Sequence, residues 1–335
     1  MQEGLLWKKE RNGIRCMMCA RKCFITKDKS GYCLVKKNID NKLFTLNYGK
    51  IINASVEPIE KMPLFHYYPS SNTFSIVSVG DNFSIQDSSK LFADKKQEET
   101  IGEEYTPEKI VSVAEGKNCL SISYSGIEPF LYLEFAYRAA KAAHRSNTKN
   151  IFVTNGFATD DAIKKIGKYL DAVTVNFQGS VDPQFYSKFF EVKDTAPLFV
   201  ALKQMKKQRL HIEITNTIIP QIGDNLQLCK NLAEWINAEI GSEIPFHIVQ
   251  FQPNDKIREL PPTPVAVLEK CITEAKKAGL RYVYIGNVPK HAQQNTYCYN
   301  CMEPLIIREG YKVKKISLSE DRCPNCGLKS NVSIV

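Results

Sequence analysis

Thr73-Phe-Ser-Ile-Val-Ser-Val79 runs directly into Gly80-Asp-Asn-Phe-Ser-Ile-Gln-Asp-Ser-Ser-Lys90, and this junction decides how the chain reads. The first run, rich in β-branched and aromatic residues, predicts a strand. The second is a polar loop in the place where many α/β enzymes put a cofactor, and it reads as a cofactor loop that has been emptied. The expectation is an enzyme scaffold that has kept its fold and its metal staples while losing its chemistry.

Downstream the pattern repeats. Short apolar runs at Leu120 to Tyr124, Ile151 to Thr154, Ala172 to Phe177, Leu210 to Thr215, Phe246 to Phe251 and Tyr282 to Gly286 predict six further strands. Helical segments fall near Pro107 to Ala114, Phe130 to Ala143, Ala158 to Leu170, Pro197 to Lys207, Asn225 to Ala238 and Pro264 to Ala278. Parallel strands need such crossovers, so this is an α/β chain with a parallel sheet, and its unbroken alternation favours a whole or partial (βα) barrel. In such a barrel the site lies at the C-terminal ends of the strands. Upstream, Lys42 to Tyr48 and Ile51 to Val56 predict two short strands, and the proline-bounded aromatic stretch Pro58 to Pro69 packs against the main domain.

Eight of the eleven cysteines fall into two tight groups, which reads as metal binding rather than disulfides. Cys16, Cys19, Cys23 and Cys33 can close a tetrahedral site without help from the rest of the chain. That suits structural zinc, although an iron-sulfur cluster also accepts four cysteines. Cys298-Tyr-Asn-Cys301 and Cys323-Pro-Asn-Cys326 flank two strands turning at Glu309-Gly310, the spacing of a zinc ribbon. Zinc at both sites is the expectation. Cys119, Cys229 and Cys271 stand singly and read as small buried hydrophobes. The predicted organisation is an N-terminal metal module with a strand pair over 1–72, a barrel over 73–289 and the ribbon over 290–335.

The formal net charge of +9 is unevenly spread: residues 1–37 carry +7, residues 290–335 carry +3, and the rest sums to −1. Lys8, Lys9, Arg11, Arg15, Arg21, Lys22, Lys27 and Lys29 surround the first cysteine group, and Lys312, Lys314 and Lys315 lie in the ribbon. Two explanations stand: a polyanion-binding surface, or the long polar side chains that a small metal module must show to water. No apolar run reaches the roughly 20 residues that span a bilayer, and the N-terminus lacks the apolar centre of a signal peptide. A cytoplasmic location with no membrane partner is expected.

Several stretches together carry a family resemblance: the N-terminal knuckle with Gly31-Tyr-Cys33, Pro58-Ile-Glu-Lys-Met-Pro-Leu64, Gly102-Glu-Glu-Tyr-Thr-Pro107, Phe152-Val-Thr-Asn-Gly156, Leu260-Pro-Pro-Thr-Pro264, Tyr282 to Pro289, and Asn295-Thr-Tyr-Cys298. On these the chain resembles the radical SAM member of the AmmeMemoRadiSam group, related to pyruvate formate-lyase activating enzymes. The resemblance implies a partial (βα) barrel of the radical SAM type. It also implies a loop in which three cysteines hold a four-iron cluster whose open iron binds S-adenosylmethionine. Those three positions are Asp81, Ile85 and Ser88 here, with Asn82 and Phe83 still matching. Isoleucine cannot ligate iron, and Asp and Ser replace a soft thiolate poorly. Other strand ends have changed too: Asn-Glu-Pro is Ile127-Glu-Pro129, Asp-Leu-Lys is Asn176-Phe-Gln178, and Arg-Phe-His-Pro is Gln250-Phe-Gln-Pro253. Asp81, Ile85, Ser88 and Glu128 then form a vestigial loop with no catalytic residue. Neither an iron-sulfur cluster there nor S-adenosylmethionine is expected. The leading expectation is an inactive, zinc-stapled binding factor for RNA or a ribosomal subunit. The alternatives are a protein-binding scaffold, or a radical SAM enzyme whose cluster sits elsewhere, at the N-terminal cysteines.

Overall fold

The structure is a computed structural model that describes residues 1–83, 102–253 and 259–334. It divides into two compact units. The first comprises Met1–Glu57, Asn72–Val173 and Ser187–Leu210; the second comprises Pro58–Ser71, Thr174–Tyr186 and His211–Val335.

In chain order the elements that matter begin with β1 (Trp7–Glu10), β2 (Gly13–Cys16), β3 (Phe24–Ile25), β4 (Lys36–Ile39), β5 (Lys42–Thr45), β6 (Asn53–Pro58) and β7 (Asn72–Val77). They continue with α1 (Pro107–Gly116), β8 (Ser121–Tyr124), α2 (Leu133–Arg145), β9 (Lys149–Thr154), α3 (Asp160–Gly167), β10 (Ala172–Gln178), α4 (Pro183–Phe190) and α5 (Ala196–Lys207). The last are β11 (His211–Ile218), α6 (Leu226–Trp235), β12 (Phe246–Gln250), α7 (Val265–Lys277), β13 (Val283–Gly286), β14 (Pro304–Glu309) and β15 (Lys312–Ile316).

The first unit opens with two small antiparallel sheets, β1-β2-β3 and β4-β5, which carry the N-terminal cysteines. Its main sheet has the order β9-β8-β7-β6, with β7, β8 and β9 mutually parallel. All four residues of β8 are buried, as expected of a parallel strand covered on both faces. Helix α1 starts where the sequence places it: Pro107 occupies its first turn, and Thr106 caps it by accepting the Lys109 amide at 3.1 Å. Thr159 does the same for α3. The chain passes into the second unit within β10. There β11, β12 and β13 are parallel and β14-β15 form the ribbon hairpin.

All seven predicted strands and all six predicted helices exist, with ends shifted by a few residues. Helix α6 runs on as a π-helical turn over Ile236–Ile240. Helix α4 has no counterpart in the sequence reading. Among the described residues, no helix is long and apolar enough to cross a membrane.

Candidate metal centres

The ribbon gathers its ligands most tightly. Cys298 and Cys301 come from the turn before β14, Cys323 and Cys326 from the turn after β15, and all four sulfurs lie within 4.8 Å of one another. The Cys298–Cys326 and Cys301–Cys323 sulfur pairs are each 3.6 Å apart. Four sulfurs about 2.3 Å from one zinc stand roughly 3.8 Å from each other, so the donor set and spacing fit a single tetrahedral ion. Two knuckle bonds hold the turns in place, Met302 N–H to the Cys298 carbonyl and Gly327 N–H to the Cys323 carbonyl, both 2.9 Å. Leu305, Ile306 and Val332 supply the small core beneath. The Leu328 amide draws the exposed Cys326 thiol down to about 6, which favours the thiolate that binds metal.

The N-terminal module also converges on a common space. Cys16 ends β2, Cys19 and Cys23 lie on the loop before and up to β3, and Cys33 precedes β4. All four line one small cavity together with Arg21, Tyr32, Lys36, Asn82 and Leu131. Burial pushes the Cys16 thiol up to about 12 and raises Cys19 and Cys33 as well. Without a metal these three would stay protonated. Asn82 belongs to the loop after β7, so the vestigial loop and the cysteine module meet within the first unit. Gly80 makes that contact possible: at φ +111° it takes a conformation glycine tolerates, and a Cβ there would come within 2.7 Å of Val35. Arg21 fixes the same approach, donating from Nε to the Asn82 carbonyl at 2.7 Å while stacking 3.5 Å over Tyr32.

Of the vestigial positions, Ile85 and Ser88 lie outside the described residues. Asp81 turns its carboxylate back onto the Phe83 amide at 2.8 Å. Glu128 is fully buried; it accepts the Thr154 hydroxyl at 2.8 Å, the Asn155 amide at 2.8 Å and the Phe130 amide at 3.2 Å. Burial lifts its carboxyl to about 7, against the pull of those donors. It serves to brace two loops. Asp81, Ile85 and Ser88 do not supply the donor chemistry of a three-cysteine iron site. In the second unit, Asn176 accepts the Thr215 hydroxyl and Gln250 donates to the Thr263 carbonyl, each at 2.8 Å.

Among the basic positions, Lys8, Lys9, Arg11, Lys22, Lys27, Lys29, Lys312, Lys314 and Lys315 are exposed, whereas Arg15 and Arg21 are half-buried. Arg15 pairs with Glu10 at 2.6 Å and lies over the exposed ring of Phe24.

Two groupings were not legible in the sequence. Cys229 of α6 and Cys271 of α7 are both fully buried and lie beside each other where those two helices pack, rather than singly. His66 is not isolated either: its ring bonds Tyr284 and Asn331. Beside it the Glu213 carboxylate, fully buried, takes hydrogen bonds from His211, His247 and the Phe65 and His66 amides at 2.7–3.0 Å. Glu213, His247 and Tyr284 sit near the starts of β11, β12 and β13. That is the end of a parallel sheet where buried polar groups serve stability rather than catalysis.

No protein-family model matches the chain. It is 35% identical over 336 residues to the uncharacterized protein MJ0808 of Methanocaldococcus jannaschii, covering 99% of each. The chain belongs to the MJ0808 family. Among solved structures, it is similar to a radical SAM methyltransferase from Sphaerobacter thermophilus, with a TM-score of 0.51, 12% identity and 71% of each chain covered. A domain of the pyruvate-formate lyase-activating enzyme from Bacteroides vulgatus gives 0.43 at 16% identity, over 50% of this chain and 99% of that one. At 12% identity the likeness to the methyltransferase is one of fold alone. This MJ0808-family chain has a radical SAM-type α/β fold with a C-terminal four-cysteine group able to bind a metal ion.

Proposed function

We propose that this protein is a radical SAM-like scaffold that does not cleave S-adenosylmethionine and acts as a metal-stapled binding factor for structured RNA, such as a ribosomal subunit. The observation that carries the reading is the placement of the basic residues. Across the two metal modules most of the cysteines and the small core are buried, while Lys8, Lys9, Lys27 and Lys29, and separately Lys312, Lys314 and Lys315, face solvent. On the ribbon they flank exposed Tyr311, whose ring can stack on an unpaired base. The absence of thiols at the first strand's loop supports the loss of catalysis.

Binding of ribosomal subunits or a structured RNA, measured by fluorescence anisotropy across salt concentrations, tests it. With six to ten phosphate contacts, affinity falls by about 10³–10⁵ between about 50 and 200 mM salt. Replacing Lys8, Lys9, Lys27 and Lys29 by alanine flattens that dependence. An affinity that ignores salt, or no binding at low salt, sinks the RNA reading. A partner recovered equally after nuclease treatment points to the protein scaffold instead. Reductive cleavage of S-adenosylmethionine by the anaerobically reconstituted protein refutes the inactive part.

A further inference from the structure

The two cysteine groups differ in spacing. The ribbon sulfurs stand as a single-ion tetrahedron, but among the described residues no three of the N-terminal sulfurs all lie within 4.8 Å of one another. The cavity that Cys16, Cys19, Cys23 and Cys33 line has about 10 Å³ of room for the centre of a water-sized sphere. Sulfurs about 2.3 Å from one zinc ion leave no such space between them. Thiols held this far apart suit an occupant larger than one ion, and four of them suit an iron-sulfur cluster.

A second observation comes from the loop after β7. Asn82 lines the same cavity and is fully buried, yet its Nδ2 has no hydrogen-bond partner. Its other groups are committed: Oδ1 accepts Asn155 Nδ2 at 2.7 Å, and its carbonyl accepts Arg21 Nε at 2.7 Å. The amide is therefore clamped from two sides with its donors left over. A buried donor left unpaired is costly, whereas sulfide and thiolate sulfurs accept N–H bonds. The Arg21 guanidinium on the same wall also bonds the Phe190 and Glu191 carbonyls rather than a carboxylate, so it brings positive charge to an anionic group.

We propose that Cys16, Cys19, Cys23 and Cys33 hold a four-iron four-sulfur cluster, each iron capped by one thiolate, with Asn82 Nδ2 donating to a cluster sulfur. Four caps leave no iron open to a sulfonium substrate. Such a cluster would be held whether or not the protein binds RNA.

Metal and sulfide analysis of the anaerobically purified and reconstituted protein tests it. About four iron and about four sulfide per chain are expected beside about one zinc. Cys16→Ser and Cys33→Ser lose the iron and keep the zinc, and Cys298→Ser does the reverse. If the first two variants fail to fold, the metal count of the unaltered protein still decides. Asn82→Ala keeps its iron but shifts the reduction potential to a more negative value, because a bond to sulfur is lost. Two zinc per chain with no sulfide after reconstitution with ferrous iron and sulfide overturns the cluster. An unchanged potential in Asn82→Ala overturns the role of the amide.

Discussion

Replacing Glu213 by glutamine keeps the shape of the side chain and removes only its charge and half its acceptors. In the native protein, Oε1 takes the His66 amide at 2.7 Å and His211 Nε2 at 3.0 Å, while Oε2 takes the Phe65 amide at 3.0 Å and His247 Nε2 at 2.7 Å. Whichever oxygen becomes NH2, one backbone amide then faces a donor. An orphaned buried donor costs about 1–3 kcal/mol, and the remaining bonds lose charge assistance worth about 1 kcal/mol more, so the loss is about 2–4 kcal/mol. Urea unfolding at neutral pH, read as a midpoint shift at constant slope, measures it. The acid limb supplies a second reading. Burial alone would raise the Glu213 carboxyl, but the His211 and His247 bonds hold it well below the usual range. The unfolded chain therefore takes up a proton below about pH 4.3 that the folded chain refuses, and stability falls as pH drops through that window. Glutamine has no such limb, so the gap between the two proteins narrows on acidification. His66, which burial lowers to about 3, costs both proteins stability between about pH 6.5 and 3, at up to about 1.4 kcal/mol per pH unit. Above about pH 3 that cost is common to the pair; because the Glu213 charge itself pulls His66 upward, the comparison is made above that pH. A loss below about 1 kcal/mol, or a gap that widens in acid, refutes the reasoning.

Two further outcomes follow from single buried charges. Lys36 and Glu134 pair at 2.6 Å with both side chains buried, and Lys36→Met strands the Glu134 carboxylate at a cost of about 3–5 kcal/mol, most of which Lys36→Met with Glu134→Leu restores. Equal unfolding midpoints for the single and double variants contradict this. Glu128, lifted to about 7, keeps a proton in the folded state that the unfolded chain releases above about pH 4.3, so its contribution is lost as pH rises toward 7. Glu128→Gln therefore gains on the unaltered protein by up to about 1.4 kcal/mol per pH unit across that range, and urea midpoints at pH 5 and pH 8 that differ by a constant amount rule it out.

Much of this protein was legible along the chain. The alternation of β-branched runs with amphipathic segments is a property of neighbouring residues, so it gave the α/β order. The cysteine spacings gave the ribbon, whose ligands need only two turns and a hairpin. Helix α4 escaped because Pro183-Gln-Phe-Tyr-Ser-Lys-Phe-Phe190 is rich in aromatic residues of modest helix propensity. Burial of Phe185, Tyr186 and Phe190 decides its conformation instead.

What only the tertiary structure decided are pairings between distant residues. Lys36 meets Glu134, Glu213 gathers Phe65, His66 and His247, and Asn82 reaches the cysteine cavity that Cys16 begins. Sequence spacing shows that a residue is polar or able to ligate. Which buried partner satisfies it depends on where the strands and loops are brought together, because a buried donor or charge is tolerated only where the fold supplies its complement. The N-terminal cysteines show the division most clearly: their number was readable in the sequence, and their separation, which bears on what they hold, was set by the fold around them.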